Sequence, residues 1–215
     1  MHEQPNSDAL IDHVKHSVGG LGGHTFRRLT HLSMSIIPII YYTNGKNIAS
    51  SLQVSIDQLV SIVCISIIIL EVIRLKFGIV VIGQREYESM QISALAWGAF
   101  STTLVFLIAP EGPEGGLKSG LYGIPIIFGL TFVDPLMGEI KRQKKDMKVA
   151  IIAGLICSYM IWFGCSYFIQ TPILLSIFLA PLTVLGEIPQ LKYIDDNATM
   201  VLFPLAAMVI LLPLV

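Results

Sequence analysis

Charged side chains are scarce in this chain: Asp, Glu, Lys and Arg make up 13% of its 215 residues, about half the share found in a soluble domain. That shortage argues against a single core wrapped in an ordinary solvated surface. A net charge of −1 excludes the strongly basic surface expected of a nucleic-acid binder. Cysteine is also rare. Cys64, Cys157 and Cys165 lie inside apolar runs and show neither CxxC nor Cys/His ligand spacing, so they are read as small buried apolar residues. The sequence contains no phosphate-binding GxxxxGK[ST] loop, no GxSxG and no HExxH. Its first thirty residues are polar and lack an apolar core, so no signal peptide is expected.

Apolar sequence, by contrast, is abundant. Hydrophobic residues make up 53% of the chain and the mean hydropathy is +0.72, which points to lipid as the solvent. The runs predict an all-α, polytopic membrane bundle of about seven spans: Leu29–Tyr42, Ile56–Ile73, Met90–Pro110, Leu117–Val133, Val149–Ile169, Pro172–Gly186 and Ala198–Val215. The first is short. Phe77–Gly83 is apolar but too short to span, and is expected in the interface or as a re-entrant piece. Residues 1–24 read as a polar, flexible tail and 25–215 as one domain. Gly19-Gly20-Leu21-Gly22-Gly23 precedes no strand and reads as a linker, and His13, His16 and His24 are too irregularly spaced for a metal site.

Lysine and arginine orient the bundle. With seven spans and a cytoplasmic N-terminus, the inner side receives Lys15, Arg27, Arg28, Arg74, Lys76, Arg85, Lys141, Arg142, Lys144, Lys145, Lys148 and Lys192. The outer side receives only Lys46 and Lys118. A miscounted span would scramble this bias, so it supports both count and direction. On that topology the ionisable clusters converge on the cytoplasmic face, and any chemistry is expected there.

Asp134 stands out, at the end of an apolar run in Phe132-Val133-Asp134-Pro135-Leu136-Met137-Gly138-Glu139. Pro135 disfavours helix at Asp134 and Gly138 permits a close approach. A carboxylate on a broken helix end suits a cation and phosphate oxygens; without function, the same pattern is a helix stop. Asp195-Asp196-Asn197 precede the last span, where an acid or amide is a good N-cap. A cap explains one acid, whereas adjacent carboxylates repel, and acid and amide oxygens are Mg²⁺ ligands. Glu187 can join them across a short loop. Arg27 and Arg28, with His31 one turn on, are either boundary cations or phosphate binders. The run from Lys141 to Lys148 reads as a headgroup-facing loop, with Lys141 and Arg142 nearest Asp134.

Taken together, these segments resemble the polyprenol kinase family, which includes dolichol kinase, phytol kinase and the CTP-dependent diacylglycerol kinase. Arg27-Arg28-Leu29-Thr30-His31 resembles the family's Arg-Lys-x-x-His. Glu71 to Leu75 with Arg85-Glu86-Tyr87-Glu88 looks like its Arg-Leu and Arg-Glu-x-Glu segment. Asp134-Pro135-Leu136-Met137-Gly138-Glu139 sits where the family carries Asp and Gly, and Glu187 with Asp195-Asp196-Asn197 and Pro204 is similar to its C-terminal pattern. The likeness runs from about Arg27 to Pro204. Arg28 replaces the commoner Lys, no Gly precedes Asp134, no Gly-Arg-x-Gly follows it, and Asp134-Pro135 resembles an archaeal form.

The resemblance implies a membrane kinase that transfers phosphate from CTP or another nucleoside triphosphate, taken from the cytosol, to the hydroxyl of a polyprenol-type alcohol in the membrane. Mg²⁺ or Mn²⁺ is the implied cofactor, with Asp134, Asp195, Asp196 and Glu187 as metal ligands. Asp134 and Glu139 are the catalytic candidates. Arg27, Arg28, His31, Lys141 and Arg142 are the phosphate and nucleotide candidates, with Arg85, Glu86, Glu88 and Asn197 around them. Two rivals stay open: a lipid-phosphate cytidylyltransferase, which needs similar groups, and a small ion-coupled transporter, which would place polar residues at mid-membrane.

Overall fold

The computed structural model describes residues 17–144, 146–189, 191 and 193–214. Lys15, Lys145, Lys192, His13, His16, Val215 and the first sixteen residues of the expected tail lie outside the described residues. The described chain is helical: α1 (Gly20–Ser33), α2 (Ile36–Ser51), α3 (Ile56–Phe77), α4 (Ala94–Ile108), α5 (Gly123–Phe128), α6 (Asp134–Lys144), α7 (Met147–Ile169), α8 (Ile173–Gly186) and α9 (Asp196–Leu211), with short 3₁₀ turns between them. Among the described residues β pairing is limited to an isolated bridge between Ser17 and Arg85.

These segments build seven rods. Met34 and Ser35 hold right-handed helical dihedrals, so α1 runs directly into α2. Pro38 has no N–H to give Met34 O, and Ile37 N donates to that carbonyl at 3.1 Å instead, tightening the joint. Likewise α5 continues into α6 through a π turn, Gly129–Val133. Side chains define the other ends. Ser55 and Gln58 form a capping box on α3, Ser93 accepts from Ala96 N at the start of α4, and Asp146 and Asp195 cap α7 and α9.

Successive rods run in opposite directions. At one end, Lys46 of α2 meets Glu111 beyond α4 at 2.6 Å, and Thr171 between α7 and α8 donates to Leu121 O at 2.6 Å. At the other, Arg27 of α1 meets Glu88, Arg28 meets Asp134, Lys141 of α6 meets Glu187 after α8, and Asn197 of α9 donates to Ala94 O of α4. The α5–α6 rod is central: 61% of its apolar window is buried, against 11% for α3. Ile126, Ile127, Leu130, Val133 and Met137 are wholly buried along it. Outermost α3 exposes Ile62, Ile65, Ile69, Leu70, Val72 and Ile73, an apolar surface of the kind that lipid covers.

Three rods are long and apolar enough to cross a membrane: Ile56–Phe77, Gly123–Lys144 and Met147–Ile169. Helices α4, α8 and α9 are apolar but have 15, 14 and 16 residues. At 1.5 Å per residue they reach roughly 21–24 Å, short of the ~30 Å hydrocarbon core. Among the described residues seven rods are therefore present, and three of them combine spanning length with an apolar surface.

Several expectations differ from the structure. Asp134 does not stop its helix. Pro135 would crowd Thr131 O in a regular α-helix; the π turn over Gly129–Val133 widens the backbone there, and the helix continues to Lys144. The Gly19–Gly23 segment is not a linker, since α1 begins at Gly20 and buries Gly23 and His24. Val18 N donates to Gln84 O, and Gly83 N donates to Val18 O. Phe77–Gly83 contains the end of α3 and an irregular loop with Ile79, Val81 and Ile82 exposed.

Candidate metal centre and phosphate site

The π turn sets the geometry. It carries the α5–α6 rod past Pro135 and leaves Asp134 buried in mid-rod, facing α1, α8 and α9. Such turns interrupt helices most often where a side chain has to be aimed. Close packing of α8 on α9 brings the partners: a Cβ on Gly186 would lie 2.5 Å from Met200 N and Cα, so only glycine allows this approach. Glu187 and Asp196, next to this contact, are thereby held together. One carboxylate oxygen from each of Asp134, Glu187 and Asp196 lies within 4.8 Å of the other two.

Cations and donors line the same space. His31 Nδ1 is 3.1 Å from Asp134 Oδ2, and Arg28 Nη1 is 3.6 Å from that oxygen and donates to Asp134 O at 3.4 Å. The Arg28 guanidinium lies against α6 at Gly138, where an added Cβ would stand 2.2 Å from Nη2. Lys141 Nζ donates to Glu187 Oε1 at 2.7 Å, while Glu187 Oε2 is buried without a hydrogen-bond partner. Burial, then the charges of Asp196 and Asp134, push the Glu187 carboxyl well above the usual carboxylate range, with Lys141 pulling it back. Burial and then adjacent Asp196 do the same to Asp195, whose Oδ1 accepts from Asn197 N at 3.1 Å.

A second group stands on the α4 side. Arg27 Nη1 donates to Glu88 Oε1 at 3.1 Å, and Glu88 Oε2 accepts from Ala94 N at the start of α4. Asn197 Nδ2 donates to Ala94 O at 3.0 Å, and its buried Oδ1 has no partner. Arg85 pairs with Tyr87 and stacks over its ring at 5.7 Å. Glu139, a turn beyond Asp134, accepts from Arg142 Nε at 3.0 Å and from Gln143 Nε2 at 2.6 Å, with His24 Nε2 3.8 Å away. Glu86 is exposed on a 3₁₀ turn.

Of the residues singled out in the sequence, Asp134, Glu187, Asp196, His31, Arg28 and Lys141 share one space, with Asp195 beside it. Glu71 and Arg74 form a separate buried clamp. Arg74 donates to both Glu71 oxygens and to the carbonyls of Ile79, Glu88 and Gln91, while Glu71 Oε1 accepts from Ser93 N at 2.6 Å. These two residues hold the 79–93 loop against α3 and have no donor or acceptor free for a ligand. The pairing of Lys141 with Glu187 had no local sequence signal, because 46 residues separate them.

Chemically, the centre offers three close carboxylates and no sulfur, a donor set suited to a hard divalent cation. Guanidinium and ammonium groups beside it suit phosphate oxygens. The chain matches no family model, no curated protein and no solved structure with which it was compared.

Proposed function

We propose that the chain is a membrane-embedded phosphotransferase that moves the terminal phosphoryl group of CTP or another nucleoside triphosphate to the hydroxyl of a polyprenol-type alcohol. The observation that carries this is the meeting of Asp134, Glu187 and Asp196 within 4.8 Å, with Arg28 and Lys141 in direct contact with two of them. Phosphoryl transfer asks a protein mainly to position its reactants and neutralise charge. This set of groups suits that task.

Mg²⁺ or Mn²⁺ would be held by Asp134, Glu187 and Asp196, and when bound it supplies charge neutralisation at the phosphate oxygens. Arg28, braced on Gly138, keeps its guanidinium beside the same space to bind phosphate. Lys141 neutralises Glu187 and can turn its ammonium group to phosphate. His31 is oriented by Asp134, and Arg27 is oriented by Glu88. Glu139 and Arg142 pair with each other and shape the rim.

Membrane insertion is part of the proposal. It rests on the three rods of spanning length and the exposed apolar face of α3. The acid-rich end also carries nine of the eleven described lysines and arginines, Lys46 and Lys118 being the others, which favours that end as cytoplasmic.

The test incubates purified protein in detergent with Mg²⁺, each labelled nucleotide, and a panel of prenols, diacylglycerol and the corresponding lipid monophosphates. A lipid monophosphate is the expected product. A CDP-lipid formed from a lipid phosphate would establish the cytidylyltransferase instead, and an absence of product with every pair would overturn both. A transporter is less well supported, because Glu187, Asp195 and Asp196 stand at helix ends, although Asp134 lies midway along the α5–α6 rod.

A further inference from the structure

An apolar cavity of about 120 Å³ lies between α1 and α4, next to the acid centre. Met34, Gly98 and Leu130 line its interior, and Phe26, Ile82 and Leu95 surround its mouth. Those last three are 54%, 61% and 52% exposed, so the cavity opens among apolar side chains. Arg27, Thr30, His31, Gln84, Glu88 and Asn197 supply its polar lining, with Arg27 paired to Glu88 at 3.1 Å. Two features tie it to the centre. His31 lines the cavity and also touches Asp134 through Nδ1. Asn197 is 1% exposed and its Oδ1, an acceptor, has no donor among the described residues. A buried acceptor left this way is destabilising unless a ligand or water satisfies it.

We propose that this cavity seats the acceptor substrate: the hydroxyl of a long-chain alcohol donates to Asn197 Oδ1 beside His31, and the first carbons fill the space against Met34, Gly98 and Leu130. The rest of the chain leaves between Phe26 and Leu95 into lipid. The occupant follows from the lining, which pairs one deep unsatisfied acceptor, beside His31 and the Arg27–Glu88 ion pair, with apolar walls and an apolar exit. An amphiphile with a single small donor head fits that lining. A free nucleotide has no apolar part to fill the mouth. The inference rests on the phosphoryl-transfer reading for the identity of the head group.

Gly98 is the point of control. A Cβ there would contact Asn197 Cβ, Leu130 Cδ2 and Met34 Cε at 3.7 Å, ordinary packing distances. A longer side chain at 98 would therefore occupy the cavity. The probe is geranylgeraniol carrying a photoreactive diazirine, cross-linked to wild-type protein in nanodiscs and mapped by mass spectrometry. Label is expected on Phe26, Ile82 or Leu95 and should be displaced by unlabelled geranylgeraniol. Gly98→Leu should cut that label by about tenfold, a change of about 1.4 kcal/mol, and raise KM for the alcohol without changing nucleotide binding. Leu95→Trp, at an exposed position that leaves the core intact, should narrow the mouth and have the same effect. Label concentrated on the outer face of α3, or unchanged in both variants, overturns the cavity. Displaceable cavity label without any phosphorylated product keeps the cavity and overturns the kinase. Product formation with both variants at wild-type KM does the reverse.

Discussion

Lys141 Nζ stands 2.7 Å from Glu187 Oε1 and ties α6 to the end of α8. The lysine's positive charge stabilises one of the three carboxylates proposed to hold a metal. It therefore competes with any cation bound there. Lys141→Ala should lower the thermal stability of the cation-free protein, by about 3 kcal/mol for a broken buried pair. The same change should tighten Mg²⁺ binding while slowing turnover. Thermal unfolding in detergent across a Mg²⁺ titration measures both; weaker Mg²⁺ binding in Lys141→Ala would show that Lys141 does not compete.

The acids also set a pH dependence. Glu187 faces Asp134, Asp196 and Lys141, and Asp195 faces Asp196, Arg27 and Arg85. Both folded carboxyls hold their protons more tightly than they would in the unfolded chain. The folded state thus binds more protons between the ordinary carboxylate pKa and the raised one, and stability falls as pH rises through that window. Bound Mg²⁺ favours the deprotonated form, so the stabilisation it gives should grow over the same range. Melting temperatures with EDTA and with Mg²⁺ at a series of pH values check this. A Mg²⁺ shift that does not change with pH would contradict it.

Arg28 and Gly138 act as one unit. Gly138→Ala places a methyl group 2.2 Å from the present position of Arg28 Nη2, so the guanidinium must move although α6 itself tolerates alanine. Arg28→Ala should weaken nucleotide use by about 2–4 kcal/mol in kcat/KM, and Gly138→Ala by a smaller amount in the same parameter. The double variant should be no worse than Arg28→Ala, because both remove one interaction. Additive losses would place the effect of Gly138→Ala elsewhere.

Arg74 gives the contrasting case. Its guanidinium is spent on Glu71 and three carbonyls, so Arg74→Ala should cost about 3–5 kcal/mol of stability. The nucleotide KM of the molecules that remain folded should stay at the wild-type value. A raised nucleotide KM would move Arg74 into the phosphate site.

The sequence made the convergence legible, but not its geometry. Asp134 and the Asp195-Asp196 pair stood out because charges bordering apolar runs need a partner, and the lysine and arginine pattern placed them at one end. The path of the backbone through Pro135 was not legible, since a π turn over Gly129–Val133 has no composition of its own and Pro135 alone reads as a helix end. The closeness of α8 and α9 depends on Gly186, which resembles any other glycine after an apolar run until Met200 is known to lie against it. Hydropathy likewise joined flanking loops to short helices. Met90 and Pro110 lie outside α4, which has 15 residues. The run of glycines 19–23 reads as a linker because the burial of Gly23 depends on Gly83, distant in the chain.

Mn²⁺ binding, followed by electron paramagnetic resonance on purified protein without nucleotide, tests the central claim most directly because it needs neither substrate. A single site per chain is expected, displaced by Mg²⁺, and lost in Asp134→Asn and Asp196→Asn while both variants keep the wild-type helical content. Mn²⁺ binding undiminished in Asp134→Asn, or no binding by the wild-type protein, would contradict a metal centre built from Asp134, Glu187 and Asp196.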